Sequence, residues 1–181
     1  MARRAVTGAL LVGGASTRFG SPKALAEFGG ETLAERAHRT LREAFGRVIA
    51  VGKAADGLPL PFPVFDDGSD VRAPIVGVAA ALRLARTDAV VCLPVDVPGV
   101  TPTFLRALAD ALEDAPAAHP ETGPLPAAFR RDALPLLERR ISAGDLALHR
   151  ATRELGARIV PGTPELLRNV NTPEALAEMT G

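Results

Sequence analysis

Short apolar runs bounded by glycine or proline alternate along this chain with segments whose apolar positions recur at helical spacing. The first run, from about Ala5 to Val12, breaks at Gly13-Gly14 and predicts a strand ending in a tight turn. From Thr32 to Phe45, Leu33, Ala37, Leu41 and Ala44 fall on one helical face; Thr32 is placed to cap that helix and Gly46 to end it. Arg47 to Val51 predicts a second buried strand, and Gly52 to Pro63 a connecting loop that leads to a short strand at Val64-Phe65. Val76 to Arg86 reads as a small-residue helix with Pro74 near its start. Ala89 to Leu93 is an unbroken apolar run of the kind found central in a parallel sheet. Pro102 begins a helix to about Ala115. Beyond it come an extended stretch at Leu125 to Phe129, a helix from Asp132 to Ala143 with Pro135 early in it, a break at Gly144 and a helix to Leu155. A strand near Ala157 to Val160 follows, then a short terminal helix capped by Thr172 or Asn171 with Pro173 at its first position.

This alternation is the pattern of an α/β domain with a mainly parallel sheet. Such sheets bind ligands beyond the carboxyl ends of their strands. Gly13 and Gly14, past the first strand, and Asp96, in the Pro94-Val95-Asp96-Val97-Pro98 sequel to the central run, belong on that edge. Between Gly14 and Lys23 the chain places Ser16, Arg18 and Gly20. Glycines let several backbone N–H groups converge on one anion, and the two cations add charge there. The loop is therefore a candidate cradle for the phosphates of a nucleotide. It is not a P-loop, because Gly20 is followed by Ser21-Pro22-Lys23-Ala24 and no GK[ST] occurs. Nor is it a GxGxxG fingerprint, because Gly13 and Gly14 are adjacent.

The length of 181 residues suits one domain, 1–181, with a substantial core, and no repeat or linker divides it. Lys plus Arg balances Asp plus Glu at 21 each, which argues against a nonspecific nucleic-acid binder. One cysteine, Cys92, leaves no internal disulfide and no cysteine-based zinc site, in keeping with a reducing, cytoplasmic setting. Arg3 and Arg4 precede only a short apolar run, so a first strand is expected there rather than a secretory signal. No stretch reaches the roughly 18 apolar residues of a membrane helix. The arginines at 130, 131, 139 and 140 are expected on a solvated helix face. His38, His119 and His149 are expected in surface or helical positions without a chemical role, and Cys92 in the core.

Four motifs then occur in order: GGASTRFGSPK, VFDD followed by APIVG, PVDVP, and NVNTPEAL. Together they make the chain similar to the molybdenum cofactor guanylyltransferases over almost its whole length. The resemblance implies a Rossmann-like nucleotidyltransferase fold of the glycosyltransferase A type, with helices on both faces of a mainly parallel central sheet. It implies transfer of GMP from GTP to molybdopterin or the molybdenum cofactor, with release of pyrophosphate. It also implies a cytoplasmic enzyme that uses Mg²⁺, with transient contact to other cofactor-biosynthesis proteins or recipient apoenzymes and no nucleic acid or membrane partner. By the same resemblance Lys23 and Arg18 serve the triphosphate, and Leu11, Val12, Gly13 and Gly14 belong to the nucleotide loop. Asp67 contacts the nucleotide, Asp96 binds the metal, and Asn169 and Asn171 face the pterin.

The chain departs from that pattern at three places. Val51 stands where the family often has a guanine-reading asparagine, which leaves base choice to backbone groups or to Asp67. Gly123 and Leu146 stand where a polar residue and an arginine are common on the acceptor side. The alternative readings are a nucleotidyltransferase with another base or acceptor, such as a molybdopterin cytidylyltransferase, and a non-catalytic nucleotide-binding protein. The Gly13-Gly14 pair leans toward the guanylyl group.

Overall fold

The computed structural model describes residues 5–13 and 22–179; Gly14 and Arg18 lie outside them. Strand β1 (Val6–Leu11) is buried along almost its entire length and occupies the middle of the sheet. A small hairpin, β2 (Glu27–Phe28) with β3 (Glu31–Thr32), precedes helix α1 (Leu33–Ala44). Thr32 closes a capping box there: its Oγ1 accepts the Glu35 N–H at 3.2 Å, and Glu35 Oε2 accepts the Thr32 N–H at 2.9 Å. The two backbone and hydroxyl donors of Thr32 hold the Glu35 carboxyl below the usual carboxylate range. Strand β4 (Val48–Gly52) and edge strand β5 (Val64–Asp66) follow.

Helix α2 (Pro74–Leu84) starts two residues before the helix read from the sequence, with Pro74 in its first turn, where a missing N–H costs little. Strand β6 (Ala89–Pro94), helix α3 (Pro102–Asp110), strand β7 (Ala117–His119) and strand β8 (Ala127–Arg130) come next. Helices α4 (Leu134–Ser142) and α5 (Leu148–Glu154), strand β9 (Arg158–Ile159) and helix α6 (Pro173–Glu178) complete the elements. Thr172 caps α6 by accepting the Ala175 N–H at 3.2 Å.

The strands form one seven-stranded sheet in the order β5-β4-β1-β6-β8-β7-β9. The β5, β4, β1 and β6 half is parallel throughout, and β8 runs antiparallel to both β6 and β7. Each face carries its own apolar core. On one face α1 and α3 supply Leu33, Leu41, Leu105 and Leu108; on the other α2 and α4 supply Ile75, Val78, Leu82 and Leu137. Because β6 is covered on both faces, it reads as continuous apolar sequence rather than alternating. Among the described residues no helix is long and apolar enough to cross a membrane.

Of the arginines expected on a solvated face, Arg131 and Arg139 are exposed as expected, while Arg130 and Arg140 are half-buried. Arg131 donates to the carbonyls of Thr87 (3.1 Å) and Ala85 (3.0 Å). Arg140 pairs with Asp145 (2.5 Å) and with Glu154, which also receives Arg139 at 2.5 Å. Asp145 and Glu154, brought in by α5 and its preceding turn, draw Arg140 inward, a contact that spacing within α4 does not reveal. Arg130 pairs with Asp132 across the turn.

Candidate active site

Four parallel strands end on one edge, and the residues just past them line a cavity of about 530 Å³. Gly13 follows β1, Lys53 follows β4, Asp67 follows β5 and Asp96 follows β6. Leu11 and Val51 supply part of the apolar floor, and Asn169, Leu125 and Gly123 come in from the far side. Val12 is buried and does not line the cavity; its N–H is taken by Val51 O at 3.0 Å. Gly52 is required beside it, since a Cβ there would stand 2.6 Å from Val12 Cγ2.

Lys23, Asp96 and Asn171, from three distant parts of the chain, meet at the β6 end. Lys23 Nζ lies 3.6 Å from Asp96 Oδ2 and donates to Asn171 Oδ1 at 2.9 Å. The NVN segment is positioned by its middle residue. Val170 is fully buried, and its N–H donates to Asp96 O at 2.7 Å, while Asn169 and Asn171 remain exposed on either side. Asn169 lines the cavity, whereas Asn171 bonds the lysine.

Gly99 allows this strap to lie close to the Asp96 loop. A Cβ at that position would meet the carbonyl oxygens of Glu165 at 2.8 Å and Leu166 at 3.1 Å. Backbone has to move to accept it. Gly99→Ala is expected to cost about 1–3 kcal/mol of stability, read as a lowered urea midpoint with an unchanged m-value.

The two aspartates of VFDD have different tasks. Asp66 accepts the N–H groups of Ala54 and Gly68, both at 2.7 Å, and these donors hold its carboxyl below the usual range. Asp67 is buried, lines the cavity and pairs with Lys53 Nζ at 2.7 Å. Arg72, also on the wall, grips Asp56 through both guanidinium nitrogens at 3.0 and 2.5 Å and lowers that carboxyl in turn.

Lys53, Arg72 and Gly99 were not singled out from the sequence. The signal for Lys53 was the one that marked Asp96: an ionisable side chain just past a buried parallel strand.

The remaining candidates stay away from the cavity. His38 stacks on Phe62 with ring centroids 4.1 Å apart, and burial together with the Arg42 charge lowers its pKa. His119 Nδ1 contacts Pro120 O at 2.7 Å, and His149 lies on α5. Cys92 is fully buried in β6, and that burial pushes its thiol far above the usual range. Leu146 packs against the α2–α4 core and brings no charge to the cavity. Among the described residues no group of three or more His, Cys, Asp or Glu side chains could hold a metal ion. Asp96 lines the cavity as a carboxylate 3.6 Å from the Lys23 ammonium, a donor suited to Mg²⁺ that arrives with phosphate oxygens and water as its other ligands.

An open, mostly parallel sheet with a lysine, a carboxylate and glycine-bounded strand ends around one cavity belongs to the class of nucleotide-handling α/β proteins. Within that class, the chain belongs to the MobA-like NTP transferase domain family, which residues 8–159 match. A protein of Deinococcus radiodurans named "Probable molybdenum cofactor guanylyltransferase" is 31% identical over 97% of this chain and 94% of its own. The molybdenum cofactor guanylyltransferase of Pseudomonas fluorescens is 31% identical over 93% and 90%. The crystal structure of molybdopterin-guanine dinucleotide biosynthesis protein A from Archaeoglobus fulgidus shares the fold, with a TM-score of 0.82 at 24% identity over 96% of each chain.

Proposed function

We propose that the chain, acting as a single domain, transfers GMP from GTP to molybdopterin or the molybdenum cofactor and releases pyrophosphate. The observation that carries this reading is the meeting of Lys23, Asp96 and Asn171, which joins the glycine-rich loop, the strand-end aspartate and the C-terminal motif around one point. The guanylyltransferase names of its relatives support the base and the acceptor.

In the reaction, the terminal phosphate oxygen of the acceptor attacks the α-phosphorus of GTP. The bond from that phosphorus to the bridging oxygen breaks, and pyrophosphate leaves with the electron pair. The nucleophile is already an anion, so no general base is needed. Negative charge grows on the nonbridging and leaving oxygens, and a fixed cation beside them lowers the barrier. Lys23 supplies that cation, held by Asn171 on one side and Asp96 on the other. We assign Arg18 and the backbone of Gly13 and Gly14 to the same triphosphate. Asp96 would hold Mg²⁺, whose chemistry when bound is to neutralise the phosphate oxygens. Leu11 and Val51 give the nucleotide an apolar floor, Val12 shapes the Gly13 turn, and Asp67 faces the nucleoside. Asn169 faces the pterin, and Gly123 to Leu125 line the same cavity. A cytoplasmic setting fits the single, buried thiol of Cys92.

A magnesium-dependent pyrophosphate-release assay with molybdopterin tests the reading. GTP is expected to support release and CTP and ATP to fail. Release with CTP alone would overturn the guanylyl assignment, and no release with any nucleotide would favour a non-catalytic binding protein.

A further inference from the structure

Val51 offers only an alkyl surface, so a guanine edge has to be read by another group on the wall. The ends of β5 and β6 lie three strand spacings apart, about 14 Å. On the guanylyl-transfer reading, with Lys23 and Asp96 serving the phosphates at the β6 end, the base is left to the β5 end, where the charged lining groups are Lys53, Asp67 and Arg72, the last already held by Asp56.

An ammonium has three N–H donors, and all three of Lys53 have protein acceptors. They go to Asp67 Oδ1 at 2.7 Å, to Val71 O at 2.7 Å and to Ser69 O. Lys53 therefore has no donor left for a ligand and acts on one through Asp67. Oδ1 of Asp67 also accepts the Ser69 N–H at 3.0 Å, and the main chain of Asp67 is fixed by its N–H to Gly52 O at 2.9 Å and by Arg83 on its carbonyl at 3.3 Å. Oδ2 accepts no hydrogen bond from the described residues, and it is not one of their fully buried, unsatisfied polar atoms. Asp67 lines the cavity, and Oδ2 is its carboxylate oxygen left open to a ligand there.

We propose that Lys53 is the positioning residue for base selection: by taking Oδ1 of Asp67 it directs Oδ2 at the paired donors of guanine, N1–H and the C2 amino group. An ionised carboxylate only accepts, so it suits that donor pair and opposes the ring-nitrogen acceptors that adenine and cytosine present beside their amino groups. The inference rests on the guanylyl-transfer reading and identifies the side chains that choose the base.

The same geometry specifies what an amide at position 67 must do. In Asp67→Asn, Lys53 and the Ser69 N–H still require an oxygen at the inner position, so the amide NH₂ turns to the cavity. A donor there suits xanthine, which carries an oxygen at C2, and repels guanine.

Equilibrium binding of GTP, ITP, XTP and CTP to the full chain tests this, with inorganic tripolyphosphate as a probe of the phosphate end alone. Wild type is expected to prefer GTP over ITP, which lacks the C2 amino group, by about tenfold or more, as for a hydrogen bond to a charged group. Asp67→Asn is expected to bind XTP more tightly than GTP. Lys53→Met is expected to bring GTP and ITP toward parity while tripolyphosphate affinity stays at the wild-type level. If leaving Asp67 unpaired prevents Lys53→Met from folding, the Lys53→Met/Asp67→Asn double variant removes both charges. It is expected to show a smaller XTP preference than Asp67→Asn alone. Asp67→Asn still favouring GTP over XTP, a wild-type GTP-to-ITP ratio in Lys53→Met, or an undiminished XTP preference in the double variant overturns the proposal. A wild-type protein that binds CTP as well as GTP defeats the guanylyl reading itself, whereas failure confined to the variants defeats only this inference.

Discussion

Asp96→Asn is expected to lower the rate of pyrophosphate release about 10²–10³-fold and to leave the protein folded. Asparagine keeps the shape of the side chain, and the Asp96 carbonyl that accepts the Val170 N–H is backbone, so the strap stays in place. What is lost is a negative charge beside Lys23 and facing the cavity. That charge is the proposed magnesium ligand, and its removal is expected to act on the transition state more than on the fold. The thermal midpoint is expected to stay within about 2 °C of wild type, the size of a near-neutral surface change in a chain of this length. A variant with the wild-type rate removes Asp96 from the metal site.

Lys23→Met is expected to lose about 10²–10³-fold in kcat/KM for GTP, with part of the loss in KM. Methionine retains much of the stem that passes along the cavity wall and removes the ammonium. The ground-state triphosphate and the charge developing on leaving pyrophosphate both lose a partner, so both kinetic constants move. Asn171→Ala separates the two tasks of the lysine, because it leaves the charge and removes the 2.9 Å bond that holds it in place. Steady-state kinetics over a range of GTP concentrations reads the difference. A Lys23→Met enzyme within a few-fold of wild type contradicts the assignment.

The features legible in the sequence were those whose cause is local. Thr32 caps α1 as its position predicts, and the structure adds Glu35, three residues on, to complete the capping box. Thr172-Pro173 starts α6 in the same way, and the apolar run of β6 shows on its own that both faces are covered. The three-residue strand β7 and the two-residue strands of the β2–β3 hairpin are too short to display a period, and they went unread. The antiparallel placement of β8 is set by its pairing with β6, a relation between segments far apart in the chain.

The site divides along the same line. Gly13 and Asp96 follow strand ends, Lys23 closes the glycine-rich loop, and motif order links them to the C-terminal asparagines. The bond from Lys23 to Asn171 spans 148 residues, and the fit of Gly99 against Glu165 and Leu166 is likewise nonlocal. The capture of Asp67 by Lys53 depends on the register of β4 against β5, where Gly52 pairs with Asp66. For that reason the side chains proposed to read the base are half legible: Asp67 from its motif, Lys53 only from its place after a strand.

If one cavity holds both a GTP donor and a pterin acceptor, GTP labelled at the α-phosphorus will pass its label to molybdopterin in the presence of magnesium. The expected result is label in a pterin–guanine dinucleotide, with one pyrophosphate released for each label transferred. Label that remains in GTP, or that appears in GMP while the pterin is unchanged, contradicts the account.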